Sequence, residues 1–292
     1  MYISCYFSNF APYFVSMKKH ILSACFTVLL FCSCGSYNKI LMSTDYENKY
    51  EAAKAYYVQG SYNKAATVLS DLIIVLKGTD KAQESLFMLG MCHYNMGDNE
   101  TASIYFKQFY NSYPKGNLTE QARFYSGRAL YNGTPEAKLD QTNTVQAIAE
   151  LQSFLDHYPT SSLRDKAQSM IFELQDRLVE KEYLSAKLYY DLGSYFGNCT
   201  SGGSNYQACI TTVQNTLREY PYTKLREDLY ILNLRAKYEL ARQSVDERKD
   251  ERYRDAIDEY YGFKNEFPES KYTKEADKMF ASASKEVTIE EE

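Results

Sequence analysis

Four of the six prolines in this chain directly follow an aromatic residue, and a small residue stands twelve positions before each of these four. The aromatic–proline pairs are Tyr113-Pro114, Tyr158-Pro159, Tyr220-Pro221 and Phe267-Pro268. The small residues are Ala102, Ala147, Cys209 and Ala256, and a fifth, Ala65, begins a similar stretch that ends in Lys77-Gly78. Apolar residues recur mostly 4, 7 and 11 positions after the small residue, which is the spacing of one face of an α-helix. We therefore predict five amphipathic helices on one template, four of which end at proline.

The segments between these helices are predicted to be helical as well. A capping candidate stands two residues after each of the four prolines, and apolar residues follow it at helical spacing. The capping candidates are Gly116, Ser161, Thr223 and Ser270. Only 13 glycines and 6 prolines occur in 292 residues, which is too few breakers for a chain of short strands and turns. We predict an all-α fold of about five helix pairs, with a loop inserted at 133–143 and one long or kinked helix, from 161 to about 196, between repeats three and four.

The amino-terminal end has the pattern of a secretion signal. Lys18 and Lys19 precede an apolar run over residues 21–31, which is too short to span a bilayer and is typical of a signal peptide. The run ends in Phe31-Cys-Ser-Cys-Gly35, which resembles the lipobox of bacterial lipoproteins. Because a small residue precedes Cys34, we predict that this cysteine carries the lipid anchor. A cleaved secretory signal without a lipid is the alternative.

These features predict a division of the chain into five segments. They are 1–33 (signal peptide), 34–45 (lipidated linker), 46–160 (amino-terminal repeats), 161–283 (long helix and carboxy-terminal repeats) and 284–292 (acidic tail). Met17 is a more natural start than Met1, because the first 16 residues carry no charge. No second apolar run of spanning length follows the signal, so the body of the protein is predicted to be soluble and tethered.

Charge and motifs argue against nucleic-acid binding and against catalysis. A net charge of -5 gives no electrostatic attraction for nucleic acid. The sequence has no glycine-rich phosphate loop, and neither His93 nor His157 has a partner at metal-ligand spacing. We predict no enzymatic activity, no metal and no cofactor. Cys199 and Cys209 flank a Gly/Ser-rich loop and could pair in an oxidising compartment, but two free thiols are favoured.

The helix that runs from the small residue to proline resembles the second helix of the tetratricopeptide repeat. Ala53 and Gly90 stand where that family has a small residue for close helix contact, and Tyr56 matches its first-helix tyrosine. The steps between successive small residues are 37, 45, 62 and 47, whereas the family repeats about every 34 residues. This irregular spacing, together with residues 174–190 and 217–221, resembles the BamD family of outer-membrane lipoproteins.

The resemblance to the BamD family implies a role in the outer-membrane β-barrel assembly machine. It implies a lipid-anchored protein on the periplasmic side of the outer membrane. Its partners would be the periplasmic domains of a BamA-like insertase and unfolded outer-membrane proteins, bound by the carboxy-terminal and amino-terminal repeats respectively. The alternative is a tetratricopeptide lipoprotein that coordinates cell-wall synthesis or division. A glycan-binding lipoprotein is disfavoured, because the chain has no tryptophan on which sugars could stack.

Two sets of candidate contact residues follow from this resemblance. Barrel substrates end in aromatic residues, often with a free carboxylate, so a receptor surface should offer aromatic rings and cations. The substrate candidates are Lys54, Tyr57, Arg123 and Arg128, and the insertase candidates are Arg177, Lys181 and Tyr183. The simpler alternatives are that the arginines are solvated surface residues and that the insertase set packs between repeats.

Overall fold

The computed structural model describes residues 36–195 and 204–287. Within these ranges the fold is all-α, with eleven helices that follow a short helical segment at 36–41. The helices are α1 (Tyr46–Val58), α2 (Tyr62–Val75), α3 (Asp80–Met96), α4 (Asn99–Ser112), α5 (Thr119–Asn132), α6 (Thr142–His157), α7 (Arg164–Leu192), α8 (Asn205–Glu219), α9 (Arg226–Arg242), α10 (Asp246–Glu266) and α11 (Thr273–Glu286). The predicted signal peptide, lipidated Cys34 and Cys199 lie outside the described residues.

The chain divides into two compact units at Ala129 and Leu130, inside α5. In the first unit each helix from α1 to α4 packs against the next, and α5 packs against α3 and α4 through an aromatic core. In the second unit the same sequential packing runs from α6 to α11, and α9 also contacts the alternate helices α7 and α11. Helices that pack against their sequence neighbours are typical of tetratricopeptide repeats, and the predicted all-α repeat fold is confirmed.

The core contains the residues of the predicted template. All five small residues are at most 2% exposed. They are Ala65, Ala102, Ala147, Cys209 and Ala256. The apolar residues four and seven positions later are mostly fully buried, and the aromatic residues before proline are partly buried. Each second helix therefore buries one continuous face against its neighbours, as the spacing predicts.

The four aromatic–proline pairs end their helices with one backbone geometry. The C-caps Tyr113, Tyr158, Tyr220 and Phe267 have φ between -131° and -125° and ψ between 63° and 68°. A following proline disfavours the helical conformation, so the chain leaves the helix at this residue. Helix α2 lacks the pair and ends at Leu76, after which Gly78 adopts a φ of 90°. A left-handed glycine thus replaces the proline stop in the first repeat.

Three of the four predicted capping residues hold turns and do not cap helices. The hydroxyl oxygens of Ser161, Thr223 and Ser270 accept a hydrogen bond from the backbone N–H two residues later, at 3.0 to 3.2 Å. The N-caps of the next helices are Leu163, Leu225 and Tyr272. Our placement of the caps was therefore wrong by two residues, because one further turn separates each proline from the following helix.

Helix α7 is the long helix of the second unit, with 29 residues. It packs against α6 and α8, so it serves as the first helix of the fourth pair. It ends at Gly193, which has a φ of 50° and whose carbonyl accepts a 2.9 Å hydrogen bond from the buried side chain of Asn205. The inserted loop falls where we predicted it, between α5 and α6, over residues 133–141.

Candidate interaction surfaces

The first helices of the first three helix pairs bring three tyrosines and one arginine together. We call Tyr57 of α1, Tyr94 of α3, and Tyr125 and Arg128 of α5 the tyrosine–arginine face. The guanidinium carbon of Arg128 lies 5.6 Å from the ring centre of Tyr94 and 5.7 Å from that of Tyr125. These two rings meet edge to face at 5.5 Å. No carboxylate of a described residue forms an ion pair with Arg128, so aromatic rings hold this cation while its charge stays uncompensated.

Tyr57 belongs to the same face. Its ring is half-buried and meets Tyr62 edge to face at 5.7 Å. Burial raises the pKa of the Tyr57 phenol, and the neighbouring Cys92 thiol and the Tyr125 phenol act in the same direction. Tyr57 of α1 therefore lies within electrostatic reach of Tyr125 of α5.

The other two substrate candidates have partners within the chain. The Lys54 amine lies 3.8 Å from a carboxylate oxygen of Glu84, and 5.1 Å from the ring centre of Tyr50. Arg123 places its guanidinium carbon 4.1 Å from the ring centre of Tyr110 in α4. Because each helical residue turns by about 100°, Arg123 and Arg128 project in different directions. The structure therefore separates two arginines that the sequence placed in one set.

The insertase candidates contact the inserted loop or the core of the second unit. Arg177 donates a hydrogen bond to the hydroxyl oxygen of Thr134, and the Lys181 amine donates to the carbonyl oxygen of Leu139 at 3.1 Å. Tyr183 is partly buried and packs in the core shared by α7, α8 and α9. Both cations thus fasten the loop onto α7. Their role in binding an insertase stays a prediction.

A single amide organises the inserted loop from within. Gln141 is 5% exposed, and its Nε2 donates to the carbonyl oxygens of Glu136 at 2.8 Å, Leu139 at 3.2 Å and Ala137 at 3.4 Å. Its Oε1 accepts a 2.7 Å hydrogen bond from the hydroxyl of Thr144. Buried carbonyl groups need such partners. The loop is consequently an ordered surface feature beside α7.

An apolar groove that the sequence did not reveal lies between α7 and the turn after α8. It has a volume of about 560 Å³, and its lining includes Phe172, Val179, Tyr220 and Tyr222. Tyr222 is 92% exposed and Phe172 51% exposed. A large apolar side chain on a turn after proline is the one signal that sequence reasoning could have used, because turn residues are usually small or polar.

The remaining polar candidates are engaged locally. His93 lies 2.9 Å from the carboxylate of Asp98, and His157 lies 2.8 Å from the carbonyl oxygen of Ser153. Within 36–195 and 204–287, no group of three or more His, Cys, Asp or Glu side chains could hold a metal ion. Burial raises the pKa of the Cys92 and Cys209 thiols to about 12. None of the described helices is both long and apolar enough to cross a membrane.

Comparison with known families identifies the chain. The YfiO family of outer membrane lipoproteins matches residues 42–199, which is more than half of the sequence. The chain belongs to this family. The matched residues include all of α1–α7, and therefore the tyrosine–arginine face and the inserted loop.

One curated relative is similar over part of the chain. The outer membrane protein assembly factor BamD of Caulobacter vibrioides (strain ATCC 19089 / CIP 103742 / CB 15) is 27% identical over 137 residues, which cover 46% of this chain and 44% of the relative. The chain thus aligns with less than half the length of that relative. The family match and this similarity confirm the predicted resemblance to the BamD family.

Proposed function

We propose that this protein is a lipid-anchored scaffold of the β-barrel assembly machine that faces the periplasm and binds both a BamA-like insertase and unfolded outer-membrane proteins. Membership of the YfiO lipoprotein family carries the proposal. The name of the Caulobacter relative, an outer membrane protein assembly factor, supports it. In this proposal the acylated Cys34 holds the helical body at the membrane.

The tyrosine–arginine face is the proposed substrate surface. A carboxylate bound to Arg128 would form charge-assisted hydrogen bonds without displacing an internal carboxylate. An aromatic side chain next to that carboxylate would find the edge or face of Tyr94 or Tyr125. The surface therefore suits a peptide that ends in an aromatic residue with a free carboxylate. Lys54 would contribute less, since its charge already pairs with Glu84, and Arg123 would contribute less because it projects away from the direction of Arg128.

The second unit offers the proposed insertase surface. The inserted loop, which Arg177 and Lys181 hold against α7, supplies polar groups to this surface. The exposed rings of Phe172 and Tyr222 supply apolar anchors of the kind that dominate protein interfaces. In this proposal Arg177 and Lys181 act by positioning the loop.

A peptide-binding experiment tests the substrate surface. The full-length protein in detergent is titrated with a labelled decapeptide that ends in phenylalanine, as the free acid and as the amide. We expect Arg128→Gln to weaken binding of the acid by about tenfold or more and to leave the amide unchanged, because only the acid uses the guanidinium. Lys115→Gln, at an exposed cation of the same unit that is not one of the residues of this face, is the matched control. Equal binding of acid and amide by the unaltered protein would contradict the proposed surface.

Affinity purification tests the assembly role and the insertase surface. The tagged protein, isolated from solubilised envelopes and analysed by mass spectrometry, should bring down a BamA-like insertase. We expect Tyr222→Ser to reduce this recovery severalfold, whereas Val145→Ser, an exposed apolar residue outside the groove, should not. Recovery of septal or cell-wall enzymes in place of an insertase would favour the alternative function.

A further inference from the structure

A second groove in the second unit lies between α8 and α10, both of which pack against α9. It consists of two depressions, of about 270 Å³ and 410 Å³, which share Gln214 and Lys237 in their linings. In contrast to the groove beside Tyr222, its lining is rich in amides and charged groups. We call it the α8–α10 groove.

One buried amide on α9 lines this groove, and its oxygen lacks a hydrogen-bond donor among the described residues. Asn233 is 2% exposed, and its Oδ1 is buried without a hydrogen bond to any described residue. Buried polar atoms are nearly always paired, because an unpaired one loses its hydration without compensation. Because an amide oxygen accepts hydrogen bonds, the partner that this atom lacks is a hydrogen-bond donor.

The charges of the groove point to the same kind of ligand. Of its two cations, the Lys237 amine pairs with Glu259 at 2.7 Å, whereas Arg252 donates to the neutral hydroxyl of Ser244 and keeps its charge. The exposed carboxylates of Asp255 and Asp258 line the groove and form no ion pair with a described residue. These two are three positions apart on α10 and so lie side by side. The groove therefore offers acceptors and negative charge to a ligand that supplies donors and positive charge.

The amides of α8 indicate the shape of that ligand. Gln207 and Gln214 line the groove seven residues apart, which corresponds to about 10 Å along a helix. Three residues of an extended polypeptide span about the same distance. A side-chain amide can donate to a peptide carbonyl and accept from a peptide N–H. Gly262 leaves the opposite wall open, since a Cβ there would meet no atom within 4 Å.

We infer that the α8–α10 groove binds an extended, basic segment of a partner polypeptide. The glutamines pair with the peptide backbone, Asn233 accepts from a backbone or side-chain donor, and Asp255 and Asp258 receive a lysine or arginine. The inference does not depend on the proposed function.

The probes for this site are two fluorescein-labelled peptides, one of four Gly-Lys repeats and one of four Gly-Glu repeats. Fluorescence anisotropy with the full-length protein in detergent should show saturable binding of the lysine peptide only. Asp255→Asn with Asp258→Asn should weaken that binding by about tenfold or more, and Glu251→Gln, an exposed acid of the same helix outside the groove, should not. Equal binding of the two peptides, or no binding of the lysine peptide, would overturn the inference.

Two further variants separate binding from folding. Gly262→Phe should abolish peptide binding by filling the groove, whereas Gly262→Ala should retain it. Asn233→Leu should weaken binding without lowering the thermal unfolding midpoint, because it removes an amide oxygen that has no partner. Undiminished binding by Gly262→Phe would place the peptide elsewhere. Competition by spermine at the same concentration as the peptide would show that the groove recognises free cations and not a polypeptide.

Discussion

Gly90 of α3 packs directly against the ring of Phe106 of α4. A Cβ at position 90 would stand 2.8 Å from Cε1 of that ring. Phe106 is fully buried, and the rings of Phe87 and Tyr125 lie 5.6 and 5.7 Å from it, so it has no room to move aside. We expect Gly90→Ala to lower the free energy of unfolding by about 1–3 kcal/mol, measured by urea denaturation with circular dichroism.

Gly262→Ala is the matched control for this prediction. Alanine favours a helix over glycine by about 1 kcal/mol, and a Cβ at position 262 of α10 meets no neighbouring atom. This variant should therefore be more stable than the unaltered protein. If Gly90→Ala were stabilised to the same extent, close contact between α3 and α4 would not be the reason for glycine at position 90.

Gln141 should control the order of the inserted loop. We expect Gln141→Leu to leave three loop carbonyls without their side-chain donor and to lower the free energy of unfolding by about 1–3 kcal/mol. Hydrogen–deuterium exchange should accelerate within residues 133–141. Gln152→Leu removes an exposed amide that donates to the neighbouring Asp156, and it should leave both measurements nearly unchanged. Unaltered exchange in the first variant would show that Arg177 and Lys181 alone hold the loop.

Glu275 should contribute stability that depends on pH. Arg235 donates two hydrogen bonds of 2.7 Å to its carboxylate, and these hold the pKa of Glu275 below its ordinary value of 4.5. The contribution is complete above that value and is lost as the pH falls through the folded-state pKa. Because the Glu275 side chain is 44% exposed, we expect about 0.5–1 kcal/mol.

The measurement compares Glu275→Gln with the unaltered protein by urea denaturation at about pH 7 and about pH 3. Their difference in unfolding free energy should shrink at the lower pH. Glu269→Gln, at an exposed acid without an ion pair in the described part of the chain, should show little difference at either pH. A difference for Glu275→Gln that does not change with pH would point to packing as its cause.

Cys34 should be the site of acylation. Growth with a fatty-acid analogue that can be coupled to a dye should label the unaltered protein and Cys32→Ala, but not Cys34→Ala. The physical reason is that the processing enzymes act on the cysteine after a small residue, and bulky Phe31 precedes Cys32. Labelling that persists in Cys34→Ala would move the anchor to another residue.

The helix boundaries show which features of the structure can be predicted from neighbouring residues in the sequence. Tyr113 and Phe267 end helices in repeats that are far apart in the sequence, yet their backbone angles agree within a few degrees. A proline constrains the residue before it through contacts between adjacent residues, so this ending is readable from the sequence alone. The capping residues were harder to place. Ser161 and Ser270 can hold either a turn or a helix start, and the choice depends on how the next helix docks.

By itself, the sequence determined the repeat: which residues face the core, where helices stop, and the family resemblance. Its periodicity records interactions within a few turns of one helix. Only the tertiary structure decided which side chains remain available for binding. Lys54 pairs with Glu84 of another helix, Arg128 contacts two tyrosine rings, and the buried Oδ1 of Asn233 has no hydrogen-bond partner among the described residues. Such outcomes depend on where helices distant in sequence come to lie, and no local pattern records that position.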